Sequence, residues 1–222
     1  MLASRFIPLL EDGGVFAVAH VRGGGEYGED WHMAAHLATK PNTYKDLIAC
    51  AEYLDRQGYG SPATTAIQGG SAGGITVGMA LVVRPDLFRV VFSDVGDSNA
   101  LRAEFETDGA ANALEYGSVK TEAGFKALAS VDALSHVKDR TAYPAVMLTT
   151  GMNDPRVAPW QPGKMTARLQ AASSSGRPVI LRVDFDAGHG FGSTRSQRDG
   201  VTADQMALFY WQIGKPGYQP AH

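Results

Sequence analysis

Cysteine is nearly absent from this chain: Cys50 is the single one, so no disulfide can form within it. The thiol falls on the apolar face of an expected helix, which reads as buried and inert rather than nucleophilic. There is no run of about 18 apolar residues and no charged-then-apolar leader at Met1, so neither a membrane span nor a signal peptide is expected. The cytoplasm is the favoured compartment, the periplasm following if a leader precedes the chain. No His-Glu-x-x-His and no cysteine pair is present, so no metal site is expected and no cofactor is needed. The glycine-rich loop Arg22-Gly23-Gly24-Gly25-Glu26-Tyr27-Gly28 has neither a Gly-x-Gly-x-x-Gly spacing nor a phosphate-loop lysine, which argues against a nucleotide cradle. Lysine and arginine number 20 against 23 aspartate and glutamate, without clusters, so neither nucleic acid nor an anionic membrane is an expected partner.

What is there reads as one α/β domain over residues 1–222, with 44% hydrophobic and 19% charged residues. Apolar runs at Val15–Val21, Thr64–Gly69, Phe88–Val95, Ala145–Thr150 and Val179–Val183 have the continuous character of strands buried on both faces. Helical patterns separate them. A short helix over residues 3–12 is interrupted at Pro8 and stopped by Gly13-Gly14. From Thr43 to Gln57 the residues Tyr44, Leu47, Ile48, Ala51 and Leu54 recur at helical spacing. Further helices are expected from Ala72 to about Val83, near 100–106 and 121–130, and from Pro162 to Ser175. The last starts at the capping box Thr202-Ala203-Asp204-Gln205, with Met206, Phe209, Tyr210 and Ile213 inward. Alternation of this kind predicts a mostly parallel sheet flanked by helices, with chemistry at the carboxyl ends of the strands.

The stretch Gly69-Gly70-Ser71-Ala72-Gly73-Gly74 sits between an expected strand and an expected helix. Gly-x-Ser-x-Gly at such a junction is the nucleophile elbow: a strained turn that exposes the serine hydroxyl, with Gly69 and Gly73 leaving room for close backbone approach. The Ala72 N–H, at the helix start, would face an oxyanion formed there. Asp154, in Gly151-Met152-Asn153-Asp154-Pro155-Arg156, and His189, in Ala187-Gly188-His189-Gly190, each follow an expected strand at the same end of the sheet. Ser, Asp, His is the chain order of the α/β-hydrolase triad. Asp94, Asp97, Asp184 and Asp186 compete with Asp154 for the role of acid; Asp154 is favoured because Gly151 and Pro155 set a rigid turn around it. Arg156 reads either as a surface charge, the usual fate of a loop arginine, or, two residues past the acid, as a planar fork that reaches substrate carbonyls.

These segments resemble the catalytic domain of the prolyl oligopeptidase family of serine peptidases. The likeness is carried by Gly14–Val18 with Arg22–Gly28, Gly69–Gly74, Arg84–Phe88, Asn153–Val157 and Ala187–Gly190, in the family's order. It implies an α/β-hydrolase fold with Ser71 as nucleophile, His189 as base, Asp154 as orienting acid and Arg156 holding the substrate backbone. It also implies that the first strands and the family's β-propeller are absent from this chain. The absent strand would lie between those at Val15–Val21 and Thr64–Gln68, and its segment bears the tyrosine that supplies a second oxyanion donor. Near Glu115-Tyr116-Gly117 the prolyl enzymes place a tryptophan where this chain has Asn112. The branch that cleaves after basic residues has acidic groups there, of which Glu115 remains. The expected reaction is hydrolysis of short peptides through an acyl-enzyme; a carboxylesterase acting on small esters and an inactive C-terminal portion of a larger peptidase are the alternatives.

Overall fold

The computed structural model describes residues 4–190 and 193–220. Its centre is a four-stranded sheet, β1 (Ala66–Gly70), β2 (Val90–Asp94), β3 (Ala145–Gly151) and β4 (Val179–Asp184), in the order β1-β2-β3-β4. Every pair is parallel, with Gly70 opposite Asp94, Asp94 opposite Thr149, and Gly151 opposite Asp184. The carboxyl ends therefore lie in one row.

The continuous apolar character of the strands follows from two covered faces. Alternate residues Ile67, Val91, Val146 and Leu148 pack into a core with α3 (Pro41–Arg56), α4 (Gly73–Val83) and α9 (Trp160–Ala172). Val90, Phe92, Ala145 and Met147 form the other face under Leu208 of α10 (Arg195–Gln212). The central helix α4 is apolar on all sides, with Ile75, Val77, Met79, Ala80 and Leu81 all buried. That suits a helix wedged between the sheet and its neighbours.

Several sequence expectations are corrected. Val15–Val21 is not a buried strand: its backbone joins no ladder, and Val15 is 51% and Val18 63% exposed. Strand character needs a ladder partner, and β1 pairs only with β2, so the run has no neighbour to join among the described residues. Its C-terminal end is held locally instead, Val21 N–H donating to the Ala19 carbonyl and Trp31 Nε1 to the Val21 carbonyl. Pro8 does not interrupt its helix but sits in the first turn of α1 (Ile7–Glu11), where its missing N–H is not required. The last helix begins at Arg195, because Thr194 and Gln197 form the capping box that operates; Thr202 lies inside, its hydroxyl donating to the Arg198 carbonyl. Its buried residues are Gln205, Leu208, Tyr210 and Gln212, with Phe209 and Trp211 packed against the sheet, while Met206 and Ile213 are only partly covered. Cys50 is exposed, on the flank of α3, while Ala51 beside it takes the buried position. Two helices carried no signal that was read: α2 (Glu29–Met33) and α6 (Gly109–Tyr116). The stretch between β2 and β3 also holds α5 (Ala100–Ala103), α7 (Glu122–Ala129) and α8 (Ala133–His136). Among the described residues no helix is long and apolar enough to cross a membrane.

Candidate active site

At the end of β1 the chain turns directly into α4, and the residue at the turn is Ser71, with φ +54°. A non-glycine residue in this left-handed region costs of order 1–3 kcal/mol and persists only where its surroundings hold it. Here Ser71 N–H donates to the Asp94 carbonyl at 3.0 Å, while the Ser71 carbonyl accepts from Gly74 N–H at 2.8 Å and Asp97 N–H at 3.0 Å. The adjacent strand β2 thus clamps the turn from both sides. Close approach needs Gly69 and Gly74. A Cβ on Gly69 would lie 2.6 Å from the Gly73 carbonyl oxygen, and one on Gly74 would lie 2.4 Å from Gly96 Cα. Gly73, expected to share this role, does not: a Cβ there would meet nothing within 4 Å.

The loop after β3 carries Asp154 and the loop after β4 carries His189. Main-chain bonds tie the two loops together, Met152 N–H to Asp184 and Asn153 N–H to Ala187, and Gly151 packs against the backbone at Ala187 and Gly188. The result is one connected set of side chains. His189 Nε2 lies 2.9 Å from Ser71 Oγ, and His189 Nδ1 lies 2.8 Å from Asp154 Oδ2. The other carboxylate oxygen, Asp154 Oδ1, accepts from the N–H groups of Arg156 at 2.8 Å and Val157 at 3.0 Å. A carboxylate only accepts, so Nδ1 carries the imidazole hydrogen and Nε2 is left to take one from the serine. Asp154 and His189 are both buried, at 9% and 8% exposure. The histidine is therefore packed in place, not loose between its glycines.

Two of the rival acids, Asp94 and Asp184, are engaged elsewhere. Asp94 accepts from Gln68, Gln205 and Thr149 beneath the turn, and burial pushes its carboxyl above the usual range against those bonds. Asp184 accepts from the Asp186 N–H and from Gln197.

Beside Ser71 lies a cleft of about 80 Å³ whose wall includes Ala72, Asp97, Asn112, Tyr116 and Arg156. Among the described residues none accepts from the Ala72 N–H, which leaves it available in that cleft. Arg156 Nε donates to Asp108 Oδ2 at 2.9 Å, with both side chains partly in solvent. Asn112 donates to the Ala103 carbonyl, which fixes its amide on α6. Glu115 does not join the cleft: it accepts from Lys40 at 2.7 Å and pairs with His32 at 2.9 Å. Burial would raise its carboxyl, but these two partners hold it below the usual range. The cleft-wall roles of Asp97, Tyr116 and Asp108 were not read from the sequence. The available signal was the position of Asp97 just past β2, the strand beside the nucleophile.

A parallel sheet with helices on both faces, and a serine, a histidine and a carboxylate meeting at its carboxyl edge, is the architecture of the α/β-hydrolases. Within that class the chain belongs to the prolyl oligopeptidase family, whose match covers residues 2–216. It is 38% identical over 206 residues to the prolyl endopeptidase of Elizabethkingia meningoseptica, covering 92% of this chain and 29% of that protein. It is similar to the solved structure of oligopeptidase B from Leishmania major, with TM-score 0.91 and 30% identity over 96% of this chain and 30% of that one. A solved prolyl endopeptidase superposes with TM-score 0.93 at 34% identity, over 96% of this chain and 32% of its own. The chain thus spans about three-tenths of the length of the relatives it matches.

Proposed function

We propose that this chain carries the catalytic centre of a serine peptidase that cleaves short peptides through an acyl-enzyme on Ser71. The observation that carries the reading is a single buried imidazole joined to a serine hydroxyl on one side and a carboxylate on the other. The membership of the family, and the peptidase names of its relatives, supply the reaction class.

In this reading Ser71 Oγ attacks the scissile carbonyl carbon while His189 Nε2 removes its proton. Asp154 holds the tautomer and stabilises the imidazolium. The carbonyl oxygen, now negative, takes the Ala72 N–H as one donor; each such donor is worth about 10²–10³ in rate. His189 then gives its proton to the leaving amine, the acyl group stays on Ser71, and water repeats the sequence to release the acid. Arg156, at the cleft mouth, binds a substrate carbonyl through its guanidinium, and Asn112 shapes the cleft for the substrate side chain. Glu115, committed to Lys40 and His32, has no direct role in that cleft.

The test is labelling with an alkyl fluorophosphonate, comparing the wild-type chain with Ser71→Ala and His189→Ala. Labelling of the wild type alone supports the reading. Equal labelling of Ser71→Ala, or none of a cooperatively folded wild type, contradicts it.

A further inference from the structure

Two carboxylates hold the loop that carries Asp154, and the reaction just described uses only one of them. The N–H groups of Arg156 and Val157 donate to Asp154 Oδ1, and the next one along, of Ala158, donates to Glu106 Oε2 at 3.1 Å. Glu106 comes from the stretch between β2 and β3 and is half-buried. Burial, with the Asp154 charge behind it, pushes its carboxyl above the usual range, against the bonds from Gln161 and Ala158. A carboxylate in such a place is costly unless its oxygens are bonded.

The other oxygen, Glu106 Oε1, accepts from Gln161 Nε2 at 2.7 Å. Gln161 is fully buried at the start of α9, and its amide cannot turn round. Its Oε1 accepts from the N–H groups of Ser98 at 3.0 Å and Asn99 at 2.6 Å, which leaves Nε2 for Glu106. Ser98 directly follows Asp97, whose N–H donates to the Ser71 carbonyl. The bonds therefore close a ring on Ser71. From its carbonyl the ring runs through Asp97 and Ser98 to Gln161, Glu106 and Ala158. It enters the acid loop there and returns through Asp154 and His189 to the serine hydroxyl. Pairing of β2 with β3 joins the two loops at their bases, and the Glu106–Gln161 bond joins them beyond the strand ends.

We propose that Glu106 and Gln161 are positioning residues of the triad, which fix the Asp154 loop against the turn that holds Ser71. The inference rests on the peptidase reading, with Ser71 as nucleophile, and adds two residues to its machinery. Both act through other groups, so their effect falls on the reaction of a bound ligand and not on its binding. Misplacing reacting groups by about 1 Å can cost about 10²-fold in rate. Either exchange alone sets like against like. In Glu106→Gln the new NH₂ meets a donor whichever way the amide turns, Gln161 Nε2 or the Ala158 N–H. In Gln161→Glu two carboxylates face each other. The double exchange reverses donor and acceptor and keeps every bond. The new glutamate still accepts from Ser98 and Asn99 and now also from the new glutamine, whose oxygen keeps the Ala158 N–H.

The experiment follows labelling by an alkyl fluorophosphonate over a range of reagent concentrations, which separates reagent binding, Ki, from the rate of phosphonylation, k2. The wild type is compared with Glu106→Gln, Gln161→Glu and Glu106→Gln/Gln161→Glu, each rate being taken per folded chain. Each single exchange should lower k2 by about tenfold or more with Ki held within about twofold, and the double should return k2 to within about threefold of the wild type. A smaller loss in the singles, a loss carried by Ki, or a slower double overturns the assignment. Where a single exchange does not fold, the double decides by the same threshold, and a double that does not fold overturns it too. A wild type that labels on Ser71 while the exchanges fail these tests loses this inference alone. A folded wild type that does not label loses the peptidase reading and this inference with it.

Discussion

Asp154→Asn exchanges a carboxylate for an amide of the same shape and leaves the packing intact. Two orientations of the amide are open to it. In the first, its oxygen stays on the N–H groups of Arg156 and Val157, now at 2.8 and 3.0 Å from Oδ1, and its NH₂ faces His189 Nδ1. The imidazole must then accept at Nδ1, its hydrogen moves to Nε2, and Nε2 can no longer take the proton of Ser71. In the second, the amide oxygen faces His189, and the NH₂ is driven against two backbone donors. That loses two bonds at about 1 kcal/mol each and adds the cost of two buried unsatisfied donors. The first orientation wins, so the wrong tautomer prevails. The expected loss is about 10⁴ in the acylation rate, as in triads where the orienting carboxylate has been amidated. Stopped-flow labelling by a fluorophosphonate gives the rate, and a thermal melt confirms that the fold survives. A rate within tenfold of wild type would refute the claim that Asp154 sets the tautomer.

Four further outcomes follow from the same geometry. Gly74→Ala should lose about 1–3 kcal/mol, because its Cβ lands 2.4 Å from Gly96 Cα, whereas Gly73→Ala, with nothing within 4 Å, should be neutral or gain up to about 1 kcal/mol. Urea unfolding of the pair reads the difference. Val18→Ser should change stability by less than about 0.5 kcal/mol by the same method, since Val18 is 63% exposed; a loss above about 2 kcal/mol would return the run to the core. Asp97 binds its proton more tightly folded, at about 7, than the ordinary 3.8, so its contribution to stability falls as pH rises between those values. Asp97→Asn should accordingly raise the Tm more at pH 7.5 than at pH 4.5. Arg156→Lys, which keeps the charge but not the fork, should raise KM for peptide amides about tenfold while leaving the fluorophosphonate rate nearly unchanged.

The strands β1 to β4 were legible to within about two residues, because burial on both faces writes them as unbroken apolar runs. The same signal misled at Val15–Val21, where the residues suit a strand but the neighbour that would make one is a non-local matter. The triad was legible for a topological reason: three polar residues follow three strands of a parallel sheet, and such ends converge. The wall of the cleft was not. Asn112 and Tyr116 reach it from α6, a short Ala-rich helix of two turns, and Asp108 meets Arg156 across 48 residues of sequence. The last helix offered two capping boxes eight residues apart, Thr194/Gln197 and Thr202/Gln205, and nothing local ranked them. Gly73 belongs to the motif by spelling, yet the steric need falls on Gly74, which only the approach of Gly96 reveals.

The central claim is that Ser71 becomes acylated, and the most direct measurement is the mass of the intermediate. The chain is mixed with a short peptide p-nitrophenyl ester, quenched in acid within milliseconds, digested and weighed. The account predicts the acyl increment on the peptide that contains Ser71, and its absence from Asp154→Asn at the same delay. An unmodified Ser71 peptide while p-nitrophenol is released, or the increment on another residue, would contradict it.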